Sequence, residues 1–217
     1  MKRIHMVQYL KNNYNFVRIM KNNCSVIILA AGNSSRMGKP KFLMEMPNGV
    51  SFLENITKQY AVFGCLRIIV VLNSESIKLI EQHKQNLPVN TKLILNTNSK
   101  LGRFSSIRKG ITAVNTNFVL IHNIDNPYAK KEVLGQIYNK KLQAEVIKPV
   151  FNNRGGHPVL ISKKVCEDIL LEKENNLNFK DFLRRYSIKK AEVEDDSILL
   201  NINTNEELVE FMNIVNR

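Results

Sequence analysis

From Ser25 onward, short runs rich in Val, Ile and Leu alternate with longer segments of helical period, and few architectures accommodate that alternation. Strands separated by helix-length connections form a mostly parallel sheet, because a chain that crosses over on a helix re-enters the sheet in the same direction. The pattern predicts strands at 25–30, 67–72, 91–96, 117–122 and 144–150, with later strands at 157–161 and 188–193. Helical period covers 51–62, 75–86, 105–114, 129–142, 163–171 and 204–215, and Asn178 to Arg185 reads as another short helix. With 217 residues and 44% apolar content, the chain has enough material for one well-buried core and too little for two. The expected fold class is therefore α/β, a single Rossmann-like three-layer domain with a mostly parallel mixed sheet. Residues 1–23 read as an N-terminal extension, possibly dispensable, and residues 24–217 as the domain. In such sheets ligands collect at the carboxyl ends of the strands, so chemistry is sought at strand-to-helix junctions.

Charge narrows the partners. Lys and Arg exceed Asp and Glu by 32 to 19, a formal +13, which favours anionic ligands such as polyphosphates without choosing among them. The basic leader lacks both the uninterrupted apolar stretch and the small-residue cleavage site of a signal peptide. No run approaches the roughly 18 apolar residues of a membrane span. Cys24, Cys65 and Cys166 are odd in number and scattered, so neither a disulfide framework nor a zinc site is indicated and a cytoplasmic setting is expected. No aromatic-basic interleaving or recognition motif supports nucleic acid as a partner.

The first junction carries the most chemistry. The strand ending at Leu29 runs into Ala30-Ala31-Gly32-Asn33-Ser34-Ser35-Arg36-Met37-Gly38-Lys39-Pro40-Lys41. Small residues at Ala30, Ala31 and Gly32 let main-chain N–H groups approach a phosphate or a base. Ser34 adds a hydroxyl, and Arg36 and Lys41 bring positive charge to the same loop. Spacing excludes the P-loop: five residues separate Gly32 from Gly38, and Pro40 follows Lys39 where Ser or Thr would be required. The dinucleotide fingerprint is absent as well.

Leu29 through Lys41 resembles the Leu-Ala-Ala-Gly-x-Ser-x-Arg-Met-Gly-x-Pro-Lys signature of MobA-like nucleotidyltransferases, which include molybdenum-cofactor cytidylyl- and guanylyltransferases. Three later segments are similar to the cytidylyltransferase branch: Leu101 to Ile111 (LGRFSSIRKGI), Asn153 to Leu160 (NRGGHPVL) and Asn201 to Leu208 (NINTNEEL). The resemblance implies a GT-A-type fold and transfer of a nucleoside monophosphate from a nucleoside triphosphate to a small phosphorylated acceptor, with molybdopterin among the candidates. It also implies roles for particular residues. Arg36 and Lys41 would be catalytic. Leu29, Ala30, Ala31, Gly32, Ser34, Gly102, Ser105, Ser106 and Arg108 would hold the nucleotide. Gly156 and His157 would meet the acceptor, and Asp125 and Asn203 would hold Mg2+. The paired alanines and Pro40 are closer to the cytidylyl branch and favour CTP over GTP, whereas Asn201-Ile202-Asn203 is closer to the guanylyl ending. Ile124 stands where the family's Gly-Asp-x-Pro element has glycine, and Arg103 and Phe104 are also unusual.

Plainer readings compete at several positions. Ser105 and Ser106 would serve as helix caps, Thr204 with Glu207 as a capping box, His157-Pro158 as the opening of a strand, and Asp125-Asn126-Pro127 as a turn. The expected chemistry needs no catalytic triad. A phosphate monoester has a second pKa near about 6, so at neutral pH it is already a dianionic nucleophile. Sugar phosphates, phosphocholine and methylerythritol phosphate are alternative acceptors, and a nucleotide-binding relative without turnover is the alternative outside enzymes.

Overall fold

A computed structural model describes residues 22–32, 38–83, 85–174 and 177–215. The strands are β1 (Asn22–Leu29), β2 (Cys65–Leu72), β3 (Thr91–Leu95), β4 (Phe118–Asn123), β5 (Val146–Phe151), β6 (Arg154–Gly155), β7 (Val159–Ser162) and β8 (Ile188–Glu192). The helices are α1 (Phe52–Phe63), α2 (Ser74–Gln82), α3 (Arg103–Ile111), α4 (Lys131–Tyr138), α5 (Lys163–Leu171), α6 (Phe179–Leu183) and α7 (Asn205–Val215). Every element expected from periodicity is present within a few residues, while β6 and the short 3-10 turns Lys41–Leu43 and Ser99–Leu101 have no periodic signal. A further 3-10 turn, Asp196–Leu199, takes up part of the apolar run 198–200. Asn22 and Asn23, assigned to the extension, are the first residues of β1.

The strands form one sheet in the order β3-β2-β1-β4-β7-β5, with β8 on the outer edge of β5 and β6 beside its carboxyl-terminal half. Strands β3, β2, β1 and β4 are mutually parallel, β7 is antiparallel to both β4 and β5, and β8 is parallel to β5. The centre of the parallel half is covered on both faces, which is why 26–28, 68–72 and 119–121 are continuously apolar. Val26 and Ile28 face α1 and α4, whereas Ile27 faces α3 and α5, and all three are fully buried. Helix starts are locally encoded: Ser51, Asn73, Ser162 and Asn178 each accept a first-turn N–H, an interaction worth about 1 kcal/mol. Gly64 closes α1 at φ 94°, where a Cβ would be strained.

Register brings the chemistry to one edge. Leu29 is opposite Val71 on one side and Asn123 on the other, so β1, β2 and β4 end together. Among the described residues no helix is long and apolar enough to cross a membrane.

Candidate active site

The loop after β1 is held at both described ends. The Ala30 N–H donates to the Val71 carbonyl at 2.9 Å. Asn73 donates to the Ala31 carbonyl at 3.2 Å while its carbonyl oxygen caps α2 through Ser76 N–H at 2.7 Å. Ala30 and Ala31 are buried and Gly32 is exposed, so the small residues bring backbone to the surface of the cleft. Ser34 and Arg36 lie outside the described residues. The chain resumes at Gly38, at φ 62°, and Pro40 leads into the 3-10 turn Lys41–Leu43. Phe42 and Leu43 are buried there and anchor the turn.

Lys41, Asp125 and Asn203 come from three distant segments and meet. The Lys41 ammonium donates to Asn203 Oδ1 at 2.8 Å and lies 4.0 Å from Asp125 Oδ2. The convergence is built by backbone. Ile124 N–H continues the β1–β4 ladder to the Leu29 carbonyl at 3.2 Å, and Ile202 N–H donates to the Asp125 carbonyl at 2.9 Å. The expected turn after β4 does form, but Asn126 makes it: its carbonyl oxygen accepts from Tyr128 N–H at 3.0 Å and its amide donates to the Ser197 carbonyl at 2.8 Å. Asp125 is thereby left to face the cleft. Its Oδ1 is buried with no hydrogen-bond partner among the described residues. Burial pushes its carboxyl above the usual carboxylate range, opposed by the charges of Lys41 and Arg103. Ile124, in place of the family's glycine, is 7% exposed and packs into the core on the α1 face.

Asn203 follows a 3-10 turn and not a strand. Ile198 does not belong to a strand; the 3-10 turn Asp196–Leu199 carries it, anchored by an ion pair of Asp195 with Lys130 at 2.6 Å. Thr204 and Glu207 then form the expected capping box: Glu207 N–H donates to Thr204 Oγ1 at 3.2 Å, and Thr204 N–H donates to the Glu207 carboxylate at 3.1 Å.

The acceptor candidates sit on the same 3-10 turn. A Cβ on Gly156 would lie 2.3 Å from the Ile198 carbonyl oxygen, so packing alone requires glycine. His157 N–H donates to that oxygen at 2.9 Å. The His157 ring bonds Asn123 through Nε2 at 3.3 Å and stacks on His122 with centroids 6.4 Å apart. His122 in turn bonds the Tyr60 hydroxyl at 2.6 Å. Burial, then the Arg103 charge, lowers His157 to about 4, and burial lowers His122 as well. Both rings are neutral at pH 7. His122 Nε2 and His157 Nδ1 are buried without partners among the described residues.

The residues after β3 require corrections. Gly102 stands at φ 94° and opens α3 with no side-chain cap. Ser105 and Ser106 do not cap the helix, which begins at Arg103, and both are buried. Both accept from the Asn96 amide, at 3.2 and 3.1 Å, and Ser105 donates to the Asn98 carbonyl at 3.0 Å. Arg108, expected at the nucleotide, donates from Nε to the Ile169 carbonyl at 3.2 Å and from Nη2 to the Glu174 carbonyl at 2.7 Å. It ties α3 to the end of α5. Arg103, the first residue of α3, is exposed; its charge acts on Asp125, His122 and His157, and its guanidinium lies 5.8 Å from the Phe179 ring centre. Its only sequence signal is its place directly after Gly102. Phe104 is 1% exposed in the core.

Fold and site together define an α/β protein that gathers cations, a carboxylate and an amide where strands end, an arrangement suited to a polyphosphate. Comparison with known proteins takes this further: residues 26–190 match the MobA-like NTP transferase domain, and the chain belongs to that family. It is 28% identical to the molybdenum cofactor cytidylyltransferase of Escherichia coli over 183 residues, which covers 84% of this chain and 92% of that protein. It is 31% identical to a probable molybdenum cofactor guanylyltransferase of Clostridium perfringens over 158 residues, 71% of this chain and 73% of that one. A Mycobacterium tuberculosis protein solved as a manganese complex superposes with a TM-score of 0.70 at 15% identity, covering 88% of this chain and 99% of that one, a likeness of fold.

Proposed function

We propose that the chain transfers CMP from CTP to a small phosphorylated acceptor, molybdopterin being the first candidate, with release of pyrophosphate and with Mg2+ as the metal. One observation carries the reading: Lys41, Asp125 and Asn203 meet within 4.0 Å at the strand ends of a nucleotidyltransferase family member. One carboxylate and one amide oxygen suit Mg2+, which takes few protein ligands and fills its shell with water and substrate phosphates. The unpartnered Oδ1 of Asp125 is available to such an ion. The absence of any group of three His, Cys, Asp or Glu ligands among the described residues fits the same sparse coordination.

In this reading the acceptor phosphate oxygen attacks the α-phosphorus of CTP. The bond to the bridging oxygen breaks, and its electron pair leaves with pyrophosphate. A bound divalent ion would neutralise charge on the phosphate oxygens as this occurs. Lys41, with Arg36 from the same loop, supports the leaving group, and the backbone at Ala30, Ala31 and Gly32 receives the nucleotide. Arg103 adds a cation beside Asp125, and neutral His157 with Gly156 forms the acceptor wall. No general base is required, since the phosphomonoester is already ionised.

Pyrophosphate release measured with each of the four ribonucleoside triphosphates, Mg2+ and a panel of phosphomonoesters tests the proposal. CTP should support release and should outcompete GTP in binding. Tighter GTP than CTP would overturn the choice of base. Nucleotide binding with no release from any acceptor would instead describe a nucleotide-binding protein without turnover.

A further inference from the structure

A divalent ion on Asp125 and Asn203 and the ammonium of Lys41 call on the same carboxylate and the same amide oxygen. Lys41 Nζ is 2.8 Å from Asn203 Oδ1 and 4.0 Å from Asp125 Oδ2, and the side chains of Lys41 and Asp125 are only 14% and 22% exposed. The two groups cannot separate freely to admit both cations. Asp125 is pinned by Ile202 N–H on its carbonyl, and Asn203 is the next residue after Ile202. Magnesium-type ions need oxygens at about 2.0–2.1 Å, so an ion ligated by both would sit within a few ångströms of Nζ, in a cleft that screens like charges poorly.

We infer that Lys41 is a place-holding cation: without nucleotide its ammonium neutralises Asp125, occupies Asn203 and excludes the metal, and a triphosphate opens the metal site by drawing that ammonium onto its own oxygens. The inference rests on the metal site proposed above and adds a binding order to it. Metal and nucleoside triphosphate then bind with positive coupling, which linkage makes reciprocal, and the protein does not hold a divalent ion between turnovers. The same side chain thus serves the carboxylate before binding and the leaving group afterwards. The 3-10 turn Lys41–Leu43 fits this use, because buried Phe42 and Leu43 fix the backbone while the long Lys41 side chain swings.

The test is Mn2+ binding to the full chain without nucleotide, read from the free-ion paramagnetic resonance signal. Lys41→Met and Lys41→Gln should each bind Mn2+ at least tenfold more tightly than the parent, whereas Lys41→Arg, which keeps the charge, should remain as weak as the parent. Adding Asp125→Ala to Lys41→Met should abolish the gain. Melting temperatures establish that each variant is folded, and the Met and Gln variants provide independent readings. If both neutral variants bind no more tightly than the parent while Asp125→Ala still weakens binding, the place-holder is wrong and the metal site stands. If the double variant binds as tightly as Lys41→Met, the ion is not at Asp125 and both readings fall.

Discussion

At the scale of single residues, two neighbours divide the work. Asn126, fully buried, spends its amide on the turn and on the Ser197 carbonyl, while the Asp125 carboxylate lies 4.0 Å from the Lys41 ammonium. Asp125→Asn keeps the shape and removes the charge, so divalent-ion binding should weaken and turnover should fall by roughly a hundredfold or more, the scale typical of losing a preorganised electrostatic partner. Stability should not fall with it. Burial already disfavours the ionised carboxylate, so the melting temperature should match or exceed the parent's. A variant that turns over like the parent across a Mg2+ titration would return Asp125 to a purely local role. Arg108 matches a family motif and also ties segments together, donating to the Ile169 and Glu174 carbonyls.

At the scale of elements, the 3-10 turn Asp196–Leu199 does the most for the site. Its Ser197 carbonyl takes the Asn126 amide, its Ile198 carbonyl takes His157 N–H, and the chain beyond it delivers Asn203. Gly156→Ala should expose this dependence, because the new Cβ meets the Ile198 carbonyl oxygen at 2.3 Å and backbone cannot yield as a side-chain tip can. A loss of about 1–3 kcal/mol is expected from such overpacking, visible as a lower urea midpoint. Acceptor KM should rise more than nucleotide affinity falls, since the strain lies beside His157. A parent-like midpoint would show that the turn relaxes freely.

At the scale of the molecule, two neutral imidazoles buried where β4 meets β7 make folding depend on pH. In the unfolded chain each histidine titrates near about 6.5. In the folded protein His157 is lowered to about 4, and His122 is also lowered. Above both values the two states are neutral and pH has no effect. As pH falls through about 6.5 the unfolded chain takes up protons that the folded one refuses, so stability is lost at up to about 1.4 kcal/mol per pH unit for each residue. The loss from His157 ends near pH 4. Asp125, raised by burial, works in the opposite sense at lower pH. Urea unfolding at pH 7.5 and 5.5 should show the decline, and His157→Gln should flatten it. An equally steep decline in that variant would place the protons elsewhere.

Much of the architecture is legible in local pattern, because helical and strand period, capping residues and turn chemistry act over a few positions. The sequence alone therefore determined the α/β class, the strands β1 to β5 and the capping box at Thr204 and Glu207. It also singled out Lys41, from the charge it brings to the small-residue loop, and Asp125 and Asn203 through family resemblance. What only the tertiary structure decided is which side chains share one space. Lys41 and Asn203 are 162 positions apart, and their contact depends on sheet order, strand register and the turn at Asp196–Leu199. The same long-range packing turned Arg108 onto the Ile169 and Glu174 carbonyls. A motif records residue types and spacing; which way a side chain faces is settled by the hydrogen-bond partners that distant segments bring to it once the core has closed.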